Sequence, residues 1–273
     1  MENKSNKIKR NLYLMLPMFN EQESITKLLS AVDKVRSRLQ DPLEVVIVDD
    51  GSSDDSIKKV EAFGKKTEFM NIKIIPHEKN MGLGQAMRTG IYHLAETVGA
   101  EDIVFTMDAD NTHDPKYMID MKKKIDQGNE IVIASRYCSG GDEWGLKIHR
   151  KILSFGASGL LSSVFKCKNI KDYTCGYRAY KGRLLKEAYD HYKNNLIREN
   201  GFTCMAELLI KTHQFAKGAG EIPMILRYDL KGGASKMKIL KTVYRYVHLI
   251  KNLKRELLSA DSCSQDKETV KVV

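Results

Sequence analysis

The segment Phe105-Thr-Met-Asp-Ala-Asp-Asn-Thr-His-Asp-Pro115 carries two carboxylates, Asp108 and Asp110, one residue apart and directly after an apolar run. Asp-x-Asp in an irregular turn suits one oxygen-loving divalent cation, Mg²⁺ or Mn²⁺, and a cation held by one or two carboxylates usually also binds substrate phosphates. The competing reading is structural: Asp108 caps the next helix and Asp110 is a solvated turn residue. His113 reads as a turn residue, not a ligand. Two further clusters have the same character, Pro17-Met-Phe-Asn-Glu21 and Val48-Asp-Asp-Gly-Ser-Ser-Asp54. Their carboxylates can accept hydrogen bonds from a nucleobase or ribose, while Gly51 allows a tight turn; or Asp49, Asp50 and Ser52 simply cap a helix. The loop Asn80-Met-Gly-Leu-Gly-Gln-Ala86 lacks both the dinucleotide fingerprint and the P-loop lysine, so it reads as a packing element that shapes a donor site.

These clusters need elements to bring them together. Short β-rich runs at 12–16, 45–48, 72–75, 103–107 and 131–134 alternate with helical periodicity near 23–39, 56–63, 85–98 and 115–127. Strand, helix, strand, helix predicts βαβ units and a mostly parallel sheet flanked by helices, with the carboxylates at its carboxyl edge. Ser53 is the expected N-cap before Ile57, and Pro115 fits the first turn of its helix. Beyond Ala134 come a polar loop (136–145), a helix over 146–165, antiparallel strands at 177–180 and 222–226, and helices near 183–192 and 204–215.

The chain has 273 residues, 42% hydrophobic and 29% charged, with a formal net charge of +10. That suits an α/β domain with an anionic partner: a phosphorylated small molecule, a membrane surface or nucleic acid. No aromatic-basic RNA motif or DNA-reading helix supports nucleic acid. Five scattered cysteines (Cys138, Cys167, Cys175, Cys204, Cys263) show no zinc or redox spacing and point to a reducing cytoplasm. The basic start followed by an apolar run is interrupted at once by Asn20, Glu21 and Glu23, which predicts a strand entering a helix, not a signal peptide. No stretch approaches the ~18–20 apolar residues of a membrane span, so membrane association would be peripheral.

Taken in order, Pro17-x-Phe-Asn-Glu21, Asp49-Asp-Gly-Ser52, Asn80-x-Gly-Leu-Gly84, Asp108-Ala-Asp110 and Asp172-x-Thr-x-Gly-Tyr-Arg178 resemble the family 2 glycosyltransferases of GT-A fold, nearest to the branch that uses dolichyl and polyprenyl phosphates. The resemblance runs from about residue 12 to 237. It implies that Pro17, Phe19, Glu21, Val48 and Asp50 contact base and ribose, and that Asp108, Ala109 and Asp110 meet the sugar-diphosphate. It makes Asp108, Asp110 and Thr112 the metal contacts, and Lys236 a donor contact. Ala134-Ser-Arg-Tyr137 matches a family motif; Arg136, with Arg150 and Ser154 four apart on a helix, would grip an acceptor phosphate. Asp108, Asp110 and Arg136 would be catalytic. The implied reaction inverts at the sugar carbon and moves one sugar from a GDP-mannose-like donor to polyprenyl or dolichyl phosphate.

A phosphate acceptor needs no general base. The alternative, a hydroxyl on a glycan or glycolipid, does, and Asp172 or Glu207 would be the candidates. Relatives carry arginine where this chain has Leu230, leaving Lys231 or Arg227 to replace it. The Gln-x-x-Arg-Trp motif of processive synthases is absent; the single tryptophan, Trp144, follows Glu143. Residues 236–257 carry Lys236, Lys238, Lys241, Arg245, Lys251, Lys254 and Arg255 beside an apolar stripe, either a helix on an anionic membrane or a core stripe with a solvated basic face. The expected organisation is a tail (1–10), a catalytic domain (11–235), this basic helix (236–257) and a disordered tail (258–273), located peripherally on the cytoplasmic membrane face, with a separate anchoring subunit possible.

Overall fold

The computed structural model describes residues 10–67, 70–231 and 239–269, with backbone alone for 239–241 and 258–269. The expected roles of residues 1–9 and of Ser235 to Lys238, Lys236 included, lie outside the described residues.

Five β-rich runs become β1 (Leu12–Met18), β2 (Leu43–Asp49), β3 (Asn71–Pro76), β4 (Ile103–Thr106) and β5 (Ile131–Ser135), joined through α1 (Ile25–Leu39), α2 (Ser56–Gly64), α3 (Leu83–Thr97) and α4 (Tyr117–Asp126). Every residue of β4 and β5 is buried, as befits strands covered on both faces. The second half adds β6 (Asp142–Trp144), α5 (Ile148–Phe165), β7 (Arg178–Lys181), α6 (Gly182–Tyr192), α7 (Thr203–His213), β8 (Ala219–Pro223), β9 (Ile225–Arg227) and α8 (Ile239–Thr269). The main sheet runs β3-β2-β1-β4-β7-β5-β8; β6 and β9 form a small second sheet. Helices α1, α2 and α4 pack together on one side, α3, α6 and α7 on the other. Strand order reverses between β1 and β4, which opens a crevice at the carboxyl edge where β1, β2 and β4 end.

As expected, β7 is antiparallel, slotted between β4 and β5. The second expected antiparallel strand is corrected: residues 222–226 divide between β8, parallel to β5, and β9, parallel to β6. An apolar run encodes burial but not direction; direction is set by the intervening α5–α7 segment. The polar loop at 136–145 contains β6. Ser53 is not the cap of α2: Asp55 holds that position without a side-chain cap bond, while Ser53 N–H donates to Asn20 Oδ1 at 2.8 Å. Pro115 lies two residues before α4, its carbonyl accepting from Met118 N–H at 3.0 Å. Helix α8 continues to Thr269, past the 257 boundary drawn from composition. Among the described residues no helix is long and apolar enough to cross a membrane.

Helix α3 approaches the 199–200 backbone so closely that a Cβ on Gly84 would lie 1.9 Å from the Glu199 carbonyl oxygen. Backbone cannot yield as a side chain does. Gly84→Ala is therefore expected to cost about 1–3 kcal/mol, read as a lowered urea midpoint at unchanged slope; an unmoved midpoint would refute the close packing.

Candidate active site

The ends of β1 and β2 interlock through backbone donors. Asn20, at φ 51°, donates its N–H to Ser52 Oγ at 2.9 Å, and Glu21 N–H donates to Ser56 Oγ at 2.8 Å. Gly51 turns at φ +72°, where a Cβ would sit 2.4 Å from the Lys79 carbonyl carbon. Pro17 and Val48 pair across β1 and β2, so the expected donor residues Pro17, Phe19, Glu21, Val48 and Asp50 do converge on one edge.

Within that edge the two aspartates divide their work. Asp50 is occupied: Oδ1 accepts from Met81 N–H at 2.9 Å, Oδ2 from Gly82 N–H at 2.8 Å, and His77 Nδ1 lies 2.8 Å from Oδ1. His77 Nε2 in turn meets Thr89 Oγ1 at 2.9 Å. Asp50 and His77 thus tie the glycine loop to β2. Asp49 accepts Ser52 N–H through Oδ2 at 3.1 Å, while its buried Oδ1 has no partner. A buried carboxylate oxygen without a partner is uncommon; the open oxygen is on Asp49, while both oxygens of Asp50 are engaged. Sequence offered no signal to choose between adjacent aspartates, and none for His77.

Asp108 and Asp110 follow β4 at the same edge. Asp110 Oδ1 accepts the Thr112 hydroxyl at 2.6 Å and the Thr112 N–H at 3.2 Å; Oδ2 pairs with Lys231 Nζ. Burial, then the neighbouring Asp110 charge, pushes the Asp108 carboxyl up to about 7. Burial would raise Asp110 too, but Lys231 and the Thr112 hydroxyl hold it below the ordinary carboxylate range. Two carboxylates that resist joint ionisation are a fitting seat for a divalent cation, which would favour both charged forms. Among the described residues no group of three His, Cys, Asp or Glu could hold a metal, so further ligands would have to come from water or a bound phosphate. Thr112 acts on the pair by donating to Asp110, and Ala109 is buried between the two.

His113 does more than turn the chain. Its Nδ1 accepts the Asp108 N–H at 3.4 Å, its ring packs on Tyr177 at 5.2 Å, and burial drives its pKa down to about 4. It stays neutral and shapes the turn. Of the cations expected near Leu230, Lys231 reaches the site. Arg227 pairs with Asp229 at 2.7 Å and lies over the Trp144 ring, and Leu230 is 48% exposed.

On the side expected to take the acceptor, the Arg136 side chain is 8% exposed and engaged on all three of its nitrogens. It donates to Asp172 through Nε (2.8 Å) and Nη2 (2.7 Å), to Glu143 through Nη1 (2.9 Å), and to Thr174 Oγ1 at 2.6 Å. Expected to grip phosphate, it is tied here to the wall formed by Asp172, Glu143 and Thr174. Thr174 Oγ1 lies 3.0 Å from Ser154 Oγ, which also accepts the Tyr137 hydroxyl at 2.8 Å. Arg150, one turn before Ser154 on α5, donates to the Tyr228 hydroxyl at 2.6 Å and lies over that ring; among the described residues it makes no ion pair. Neither candidate base is available. Asp172 is 0% exposed and held by Arg136. Glu207 accepts from Arg198 N–H (2.8 Å), Glu199 N–H (2.9 Å) and Lys211 Nζ (2.9 Å).

Residues 13–189 match the model of Glycosyl transferase family 2. A dolichol-phosphate mannosyltransferase of Pyrococcus furiosus is 31% identical over 245 residues, covering 89% of this chain but 64% of that protein, so the chain spans under two thirds of that relative. An undecaprenyl-phosphate 4-deoxy-4-formamido-L-arabinose transferase of Serratia proteamaculans is 24% identical over 241 residues, 88% of this chain and 67% of that one. Among solved structures, the glucosyl-3-phosphoglycerate synthase of Mycobacterium tuberculosis, with Mn²⁺, UDP and glucosyl-3-phosphoglycerate, superposes with a TM-score of 0.60 at 19% identity over 92% of this chain and 79% of its own. That likeness shows the fold, a mostly parallel GT-A sheet between helices.

Two outcomes test the site. Lys231→Met removes the ammonium that competes for Asp110, so Mn²⁺ binding to the chain alone, followed by loss of the free-ion EPR signal, should tighten about tenfold, on the order of 1.4 kcal/mol. Unchanged or weaker binding would show that the cation does not enter at Asp110. Arg136→Ala strands Asp172 in the interior and should cost about 3–5 kcal/mol in urea unfolding; full stability would contradict the buried network.

Proposed function

This chain belongs to glycosyl transferase family 2, and we propose that it transfers one sugar, with inversion, from a GDP-mannose-like nucleotide donor to a polyprenyl or dolichyl phosphate. The observation that carries the acceptor assignment is the contrast on its acceptor side: among the described residues Arg150 is a cation without a carboxylate partner, beside the Ser154 hydroxyl, while Asp172 and Glu207 are both sequestered. A phosphate monoester is already an anion and needs a cation, not a base. Transfer to a glycan or glycolipid hydroxyl, the second reading, would need one of those carboxylates free. The printed names of the two curated relatives, which refer to dolichol phosphate and undecaprenyl phosphate, support the same choice.

The residues divide the reaction as follows. Pro17, Phe19, Glu21, Val48 and the unsatisfied oxygen of Asp49 would hold base and ribose, with Asp50 and His77 fixing the loop beside them. A divalent cation held by Asp108 and Asp110 would offset charge on the leaving diphosphate, as Mn²⁺ and Mg²⁺ in the mycobacterial synthase structures suggest. Lys231, poised at Asp110, would balance the same charge as the sugar–oxygen bond breaks. Arg150 and Ser154 would orient the acceptor phosphate, whose oxygen attacks the sugar carbon directly. Arg136 would act through Thr174 and Ser154 as a positioning residue. The enzyme would work at a membrane surface, with or without a separate anchoring subunit.

Transfer of label from a panel of radiolabelled nucleotide sugars into an organic-extractable polyprenyl-phosphate product checks this. Label should require Mg²⁺ or Mn²⁺ and vanish in Asp110→Ala. Arg150→Ala should lower transfer by roughly 10- to 100-fold, the worth of a charge-assisted phosphate contact. Undiminished transfer by Arg150→Ala would sink the acceptor assignment.

A further inference from the structure

Helix α8 docks on α7 and α5 through one face, and a carboxylate continues that face. Tyr246, Leu249 and Leu253 are buried, and position 256 comes next at helical spacing. There Glu256 reaches inward. Its Oε2 lies 3.4 Å from Lys211 Nζ on α7 and 3.4 Å from Arg198 Nη1. Lys211 is wholly buried. It also donates to Glu207 Oε1 at 2.9 Å and to the Asn195 carbonyl at 2.5 Å, and it lies over the Tyr192 ring. A buried ammonium is costly unless its charge is matched and its protons are placed. Apolar side chains of similar volume would dock a helix as well or better, so docking alone does not account for these three charges.

What they hold is the segment 195–200. With Oε1 committed to Lys211, Glu207 turns Oε2 to two successive backbone donors, Arg198 N–H at 2.8 Å and Glu199 N–H at 2.9 Å. The other side of this segment bears on the donor edge. A Cβ on Gly84 would lie 1.9 Å from the Glu199 carbonyl oxygen, and one on Gly82 would lie 3.1 Å from that of Asn200. Arg88 of α3 donates to the Ile197 carbonyl at 2.7 Å and to the Arg198 carbonyl at 3.3 Å. Met81 and Gly82 in turn give their N–H groups to Asp50. Each step from Glu256 to Asp50 is thus an ion pair, a hydrogen bond or a backbone contact. We propose that Glu256, acting through Lys211 and Glu207, is a positioning residue for the nucleotide donor: it fixes the 195–200 segment against which the glycine loop at 80–84 is set. This assignment rests on the donor reading of the edge formed by β1, β2 and β4. Helix α8 then belongs to the support of the donor site.

The intact chain is compared with Glu256→Leu, which keeps the docking face apolar, and with Glu256→Gln, which keeps an acceptor oxygen for Lys211. Backbone amide hydrogen exchange, thermal midpoint and the affinity for GDP and UDP in Mn²⁺ are measured for all three. In Glu256→Leu the Met81 and Gly82 amides should exchange about tenfold faster, and the preferred nucleotide should bind about tenfold more weakly. The amides of β1 and β4 and the thermal midpoint should stay as in wild type, and Glu256→Gln should fall between the two. In transfer assays the donor KM should rise about tenfold at unchanged kcat and acceptor KM. Unchanged exchange at Met81 and Gly82 in both variants would overturn the proposal. So would faster exchange throughout the chain with a lowered midpoint, the mark of a contact that only docks α8. Equal nucleotide binding by all three chains would also overturn it and leave the donor reading standing. Binding of neither nucleotide by wild type would end the donor reading, while faster exchange confined to Met81 and Gly82 would still uphold the support of the loop.

Discussion

The acceptor half of this molecule hangs on one buried guanidinium. Arg136 leaves the end of β5 and meets Asp172, which is wholly excluded from solvent, and Glu143 on β6. Removing either charge would leave the other stranded in a medium that solvates it poorly. Because the fork of arginine is rigid, satisfying it also sets distances: Asp172 is brought under β5, Thr174 is turned toward α5, and the small β6–β9 sheet is drawn against the main one. The hydroxyls of Thr174, Ser154 and Tyr137 then line up as a consequence. One guanidinium is thus the joint that sets the positions of several residues around it.

The donor half is governed by the opposite condition, charge left incompletely neutralised. Asp108 and Asp110 share a crevice too desolvated for both to ionise freely, and a single lysine from the far end of the domain reaches one of them. Asp49 keeps a buried oxygen unsatisfied on the neighbouring strand. Folding alone does not explain tolerating these groups at a sheet edge where strand order reverses; the donor and cation proposed above would satisfy them. The loop that carries Lys231 also carries Tyr228, which holds Arg150. Donor and acceptor sides are therefore linked through four residues of backbone, and a change in either ion contact is felt by the other.

Helix α5 extends the same logic to the surface. Its polar side is needed inside, at the site, and its apolar side is left facing out. In water that arrangement carries a cost that burial normally removes.

Alternating β-rich runs and helical periodicity were enough to determine the α/β class, the first five strands and the carboxyl-edge location of three carboxylate clusters. Those features are local: side-chain period, glycine and proline punctuation, and the rule that parallel strands deliver their ends to one edge. Sequence also contained the glycine at position 84, though not the carbonyl it must avoid. What required the tertiary structure was every choice between chemically equivalent neighbours. Whether Asp49 or Asp50 keeps an open oxygen, and whether Lys231 or Arg227 reaches Asp110, were decided by partners distant in the chain, as were the directions of β8 and β9. A residue type states which bonds it can make; only the fold states which of those bonds are already made.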